Sequence, residues 1–119
     1  MFLFPHHAHD SLYSFSIAPW NAPVALTMRA VAVPLLCGNT VVLKSSEYSP
    51  RSQALVVELF QEAGLPAGVL NFISISRDNA PALTAEIIAH PLVRNINVSF
   101  TLFGVQFTNS FFFPSVHRQ

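Results

Sequence analysis

The chain has 119 residues, of which 51% are hydrophobic and only 10% charged, and its six Lys and Arg balance six Asp and Glu. That is too apolar for a disordered chain and long enough to bury a core. A net charge near zero without a basic patch argues against nucleic acid as a partner, and it favours poor solubility.

Residues 1–16 carry three of the five histidines, and their pattern suits neither helix nor strand. The opening Met1-Phe2-Leu3-Phe4-Pro5 lacks a basic region and a clean apolar region, so no signal peptide is expected. No apolar run reaches the ~18 residues of a membrane span, so no membrane partner is expected. His6, His7 and His9 invite a metal, but a site needs fixed geometry and usually a further ligand. Only Asp10 lies nearby, and no metal is expected.

Ser14 to Ala18 reads as a short strand. Pro23 suits the first turn of a helix running through Leu26, Met28 and Ala30 toward Val33, with Pro34 as its stop or kink. Gly38-Asn39 marks a turn. Thr40 to Leu43 is β-branched and apolar without alternation, as expected of a strand buried on both faces. Ser49 can cap a helix with Pro50 at its first position. Leu55, Val56, Leu59, Phe60 and Ala63 then form an apolar stripe, with Glu58 and Glu62 on a more polar side. Gly64 suits the C′ position, with Pro66 after it. Val69 to Ile75 is a further strand. Asp78 or Asn79 can cap a third helix carrying Leu83, Ile87 and Ile88 up to His90-Pro91. Val93 to Val98 opens another strand. This strand–helix rhythm implies βαβ units and a parallel sheet. Residues 98–119 hold six of the eleven phenylalanines and no usable period.

Several segments resemble one family, in order: Ile17-Ala18-Pro19-Trp20-Asn21, Cys37-Gly38-Asn39-Thr40-Val41-Val42-Leu43-Lys44 with Glu47, and Glu62-Ala63-Gly64-Leu65-Pro66-Ala67-Gly68-Val69-Leu70-Asn71. Together they resemble the front half of the nucleotide-binding domain of the NAD(P)-dependent aldehyde dehydrogenases. The resemblance implies an α/β fold: a partial Rossmann-like parallel sheet with flanking helices, covering residues 17–97. It also implies a parent activity, oxidation of an aldehyde to a carboxylic acid with NAD, and a homo-oligomeric parent in the cytoplasm. The family's nucleophilic cysteine and general-base glutamate segments have no counterpart in this chain, so the chain by itself is expected to be inactive. Ser76-Arg77-Asp78-Asn79-Ala80-Pro81 looks more like the branch acting on aromatic aldehydes such as salicylaldehyde or vanillin.

By that resemblance Asn21 takes the place of the oxyanion asparagine, whose amide donates to the aldehyde oxygen as it becomes negative. Taken alone, Trp20 and Asn21 are a loop tryptophan and a turn asparagine. Ile17, Pro19 and Trp20 would lie along the cofactor. Lys44 follows a predicted strand, where open parallel sheets bind ligands, though a solvated charged pair with Glu47 is the plainer account. In the family this pair holds the adenosine ribose. The Glu47 carboxylate would repel a 2′-phosphate and so favour NAD over NADP. Ser45 stands where proline is frequent. The family's Gly-rich FTGS turn is missing after Asn97, and with it the receiver of the pyrophosphate. Binding of NAD is therefore expected to be weak.

Cys37, the one cysteine, rules out an internal disulfide and makes a reducing compartment the default. It reads as a small buried residue rather than a nucleophile. Residues 1–16 and 98–119 stand outside the resemblance. Val98-Ser99 can be written GTA-AGT, a common splice donor, and Phe, Ser, Leu and Pro codons are pyrimidine-rich. Both ends are therefore expected to be translated intron, with a truncated gene as the alternative. A non-catalytic nucleotide-binding or interaction remnant is the other functional reading, and a product that is never made stably is a third.

Overall fold

The computed structural model describes the backbone of residues 13–102 and 105–112, and the side-chain surroundings of residues 13–99. Among the described residues, five strands and three helices follow in order: β1 (Tyr13–Ile17), α1 (Pro23–Leu36), β2 (Thr40–Lys44), α2 (Pro50–Glu62), β3 (Leu70–Ile73), α3 (Ala80–Ala89), β4 (Val93–Leu102) and β5 (Val105–Phe112). The sheet order is β3-β2-β1-β4-β5. The first four strands are parallel, and β5 returns antiparallel to β4. Ile17 is in register with Lys44 on one side and Val98 on the other, so the strand order reverses at β1.

The two faces of the sheet follow from strand alternation. Ser14 and Ser16 of β1 point toward α1, and Tyr13 and Ile17 share clefts with α3. The core lies on the α1–α2 face, where Ala30, Val31 and Leu35 of α1 meet Val41 and Leu43 of β2, Val57 of α2 and Leu70 of β3. Phe60, Leu65, Val69 and Phe72 pack at its margin. Fully burying a Val or Leu contributes about 1.5–3 kcal/mol, so this one layer supplies most of the cohesion.

Pro34 does not stop α1, which continues to Leu36. The reason is local. A helical proline deprives the carbonyl four residues earlier of its donor, here that of Ala30. Ser16 Oγ donates to that carbonyl at 2.9 Å and Asn97 Nδ2 at 3.4 Å. The strands below supply what the helix lacks. This explains why Ser16 and Asn97 are buried polar residues.

Both longer helices end alike. Gly38 and Gly64 adopt positive φ (81° and 96°) in open space, so conformation rather than crowding selects glycine. The Asn39 and Gly38 amides donate to the Pro34 and Leu35 carbonyls, and the Leu65 and Gly64 amides to those of Phe60 and Gln61. This is the paired closure of a Schellman motif. Two expectations for side chains need correction. Ser49 and Asn79 occupy the N-cap positions of α2 and α3, but neither side chain caps its helix. The α2 stripe is rotated as well: Gln53, Val56 and Val57 are buried, and Leu55 and Leu59 are half exposed. Helix α3 buries no residue fully.

Strand β4 runs on to Leu102, and β5 lies within the segment read as lacking a period. Their register pairs Val98 with Asn109 and Leu102 with Val105. The histidines at 6, 7 and 9 lie outside the described residues. Among the described residues no cluster of metal-ligating side chains occurs, and no helix is long and apolar enough to cross a membrane.

Candidate functional site

Charged residues gather at the carboxyl end of β2 and in the loops after β2 and β3. Lys44 ends β2 and is buried, and its Nζ donates to Glu47 Oε1 at 2.6 Å and to the Ser45 carbonyl at 3.1 Å. An ammonium has three donors, so one remains for a ligand. The bond from Lys44 is the main influence holding the Glu47 carboxyl below its ordinary range, and the charges of Lys44 and Arg77 add to it. Ile17, Lys44, Glu47 and Arg77 line one cleft of about 580 Å³, with Pro81 and Thr84 of α3 opposite. That volume falls within the ~300–1,000 Å³ of small-molecule sites. It lies where β1 marks the reversal of strand order, the place at which open parallel sheets take ligands.

The loop after β1 carries the other expected residues. Pro19 is partly buried, Trp20 is 62% exposed and Asn21 is partly buried. None of the three lines the cleft. The loop is tied down by two side chains of the α2 region. Ser49 Oγ donates to the Trp20 carbonyl at 3.4 Å. Gln53, fully buried, donates from Nε2 to the Ala18 and Pro19 carbonyls at 3.3 and 3.0 Å and accepts the Ser46 amide at 2.7 Å. One glutamine thus clamps the loop after β1 to the loop after β2. Sequence reasoning missed it, although a polar residue in line with Val56, Val57 and Phe60 was a readable anomaly. Arg77 was missed as a site residue too.

Ala22, next to Asn21, is the one non-glycine residue with positive φ (49°) among those described. Such strain is of order 1–3 kcal/mol and persists where the surroundings enforce it. It starts α1 abruptly after Asn21. Cys37 lies at the other end of that helix and is exposed, not buried as expected. Its position after the last turn, past the strip that packs on β2, leaves the thiol in solvent.

Strand β4 continues through Leu102, and its backbone pairs with β5. Among the described residues no helix follows β4.

The sequence pattern of the Aldehyde dehydrogenase family matches residues 13–101. The chain belongs to the aldehyde dehydrogenase family. The matched span extends beyond residues 17–97 at both ends. Vanillin dehydrogenase of Pseudomonas sp. (strain HR199 / DSM 7063) is 57% identical over 81 residues, 68% of this chain and 17% of that protein. A crystal structure of a salicylaldehyde dehydrogenase from Pseudomonas putida G7, complexed with salicylaldehyde, superposes with a TM-score of 0.70. It is 48% identical and covers 72% of this chain and 18% of that one. The structure of an NAD-dependent benzaldehyde dehydrogenase from Corynebacterium glutamicum is 30% identical, with a TM-score of 0.66 over 73% of this chain and 19% of that one. The chain therefore spans about a sixth of the length of the relatives it matches, 17% for the vanillin enzyme.

Proposed function

We propose that this chain is the adenosine-binding part of an NAD-dependent aldehyde dehydrogenase acting on aromatic aldehydes, and that it is inactive alone. The observation that carries this is the cleft of Ile17, Lys44 and Glu47 at the carboxyl ends of two parallel strands. Lys44 would donate to a ribose hydroxyl, and Glu47 would accept from one. The carboxylate disfavours a 2′-phosphate, so NAD is preferred to NADP. When bound, the nicotinamide of NAD supplies the hydride acceptor. Asn21 would offer its amide to the aldehyde oxygen as charge develops there.

The position of the thiol supports inactivity. The 14 residues of α1 separate Asn21 from Cys37 by about 20 Å at 1.5 Å per residue. A nucleophile must stand ~3 Å from the carbon it attacks, so Cys37 does not serve an aldehyde held by Asn21. The aromatic substrate is inferred from the similarity to the vanillin, salicylaldehyde and benzaldehyde dehydrogenases. Ser76–Pro81 leads into α3, and its Arg77, Ala80 and Pro81 line the cleft. A parent homo-oligomer in the cytoplasm, and non-family ends confined to the residues outside the family match, 1–12 and 102–119, complete the reading.

Calorimetric titration of the chain with NAD, alongside an assay of acid formation from salicylaldehyde, tests it. Weak saturable binding that Lys44→Met abolishes, without acid formation, is the expected result. Acid production by the chain alone would overturn the inactive reading, and absence of any binding would overturn the cleft. A second reading, a non-catalytic remnant that docks on other protein, is favoured by the exposed apolar groove between α1 and α2, lined by Met28, Leu36, Phe60 and Leu65.

A further inference from the structure

We propose that Gln53 is a positioning residue: it fixes the loop that carries Asn21 against the loop that carries Glu47, so that a nucleotide held in the cleft and a carbonyl oxygen offered to Asn21 stand at one set separation. The inference rests on the reading of the cleft as a nucleotide site and of Asn21 as the oxyanion donor.

The sheet stops linking the two loops early. Ile17 and Lys44 are the last registered pair of β1 and β2, and just past them the Ala18 amide reaches the Lys44 carbonyl at a long 3.5 Å. Asn21 lies further along one loop and Glu47 further along the other. Strand pairing therefore does not set the distance between those two side chains. Gln53 takes over that task. From a fully buried site on α2, its Nε2 donates to the Ala18 and Pro19 carbonyls at 3.3 and 3.0 Å, and its Oε1 accepts the Ser46 amide at 2.7 Å. The donors go to one loop and the acceptor to the other, so a single planar amide spans the gap.

Both ends of the Asn21 segment are then pinned. Gln53 holds Ala18 and Pro19 on one side. On the other, Ala22 is fixed at φ 49°, and its carbonyl accepts the Leu26 amide at 3.0 Å in the first turn of α1. Trp20 and Asn21 lie between. A donor aimed at a developing negative charge must be held within ~0.5 Å of its working geometry, and a short segment pinned at both ends meets that need. The Glu47 side is tied to the same amide. Lys44 Nζ donates to Glu47 Oε1 at 2.6 Å and to the Ser45 carbonyl at 3.1 Å, next to Ser46. A ligand that engages Lys44 and Glu47 orders this loop, and through the Ser46 amide it orders Gln53 and the carbonyls before Trp20. Ser49 Oγ on the Trp20 carbonyl is a second link, but at 3.4 Å and in an exposed position it is the weaker one.

Trp20 is the one tryptophan of the chain, and it does not line the cleft, so a nucleotide bound there reaches it through the loops. The test titrates the full chain with 5′-AMP, following binding by calorimetry and, in the same samples, acrylamide quenching of Trp20 fluorescence. In the wild-type chain, saturating AMP is expected to lower the quenching constant by about 2-fold. Gln53→Met fills similar volume without the three bonds. It is expected to bind AMP within ~3-fold of wild type yet to lose most of the quenching response. Gln53→His, whose neutral ring keeps one donor and one acceptor, should recover part of the response, and Ser49→Ala should keep most of it. A merely structural glutamine would weaken folding and leave the response in place wherever AMP binds. A response that Gln53→Met retains would therefore overturn the proposal, as would its loss in Ser49→Ala. So would AMP binding to the wild-type chain without a change at Trp20, an outcome that needs no variant to fold. In each of these cases AMP binding keeps the nucleotide cleft intact. Failure of AMP to bind the wild-type chain would overturn the cleft and the proposal together.

Discussion

Gln53 shows how much of the site depends on one side chain. It satisfies the Ser46 amide and the Ala18 and Pro19 carbonyls from a fully buried position. Leucine would fill similar volume and leave those groups without partners, at ~1–3 kcal/mol for each buried orphan. Gln53→Leu is expected to lower unfolding stability by about 3 kcal/mol in urea titrations, whereas the exposed neighbour Ser52→Ala should change it little. Equal effects of the two would remove Gln53 from its role. Glu47 sets a pH dependence. Its folded pKa is lowered below the ordinary 4.5, chiefly by the bond from Lys44. A lowered carboxylate contributes stability that is fully present above the unfolded value and is lost as pH falls through the folded one. Stability should therefore decline below pH ~4.5, and Lys44→Met should flatten that part of the curve. A profile that Lys44→Met leaves unaltered would contradict the assignment.

Among the elements, α1 and β1 are coupled through one carbonyl. Pro34 deprives the Ala30 oxygen of its helical donor, and Ser16 and Asn97 replace it. Ser16→Ala should cost about 1 kcal/mol. In a Pro34→Ala background the amide at 34 returns to the Ala30 carbonyl, so the same change should cost less. A double-mutant cycle measures the coupling, expected at ~0.5–1 kcal/mol. Purely additive costs would show that the proline and the serine are unrelated. Helix α3 is held differently. It buries no residue fully yet forms one wall of the cleft at Lys44 and Glu47, so that cleft has one firm side and one loosely packed side.

At the scale of the whole molecule, the outer faces of α1 and α2 remain apolar. Leu36 is 75% exposed, Val33 63% and Leu59 57%. A groove of about 400 Å³ between the helices is lined by Met28, Leu35, Phe60 and Leu65. Contiguous apolar surface of this kind drives association, and zero net charge does nothing to oppose it. The chain is expected to elute above monomer mass in light-scattering chromatography. Val33→Lys with Leu36→Glu should shift it toward monomer. A wild-type chain that stays monomeric at high concentration would count against the patch.

The linear pattern was sufficient for the element order from β1 to the start of β4, because prolines at first turns, glycines at C′ positions and unalternating apolar strands are local signals, whereas β5 lies in a segment with no readable period. Lys44 and Glu47 were legible for the same reason, since they follow a recognisable strand at short spacing. What only the tertiary structure decided are the relations across distance. Pro34 is tolerated because β1 and β4 supply donors to a helix carbonyl. The α2 stripe turned because Gln53 faces the loops rather than solvent. Cys37 is exposed because the α1 packing strip ends before it. Arg77 joins Lys44 and Glu47 only because β3 and the start of α3 return to the end of the sheet where β2 stops. Helix and turn signals reside in a few adjacent residues. Charge neighbours and replacement donors depend on which strands pair, and no local pattern encodes that.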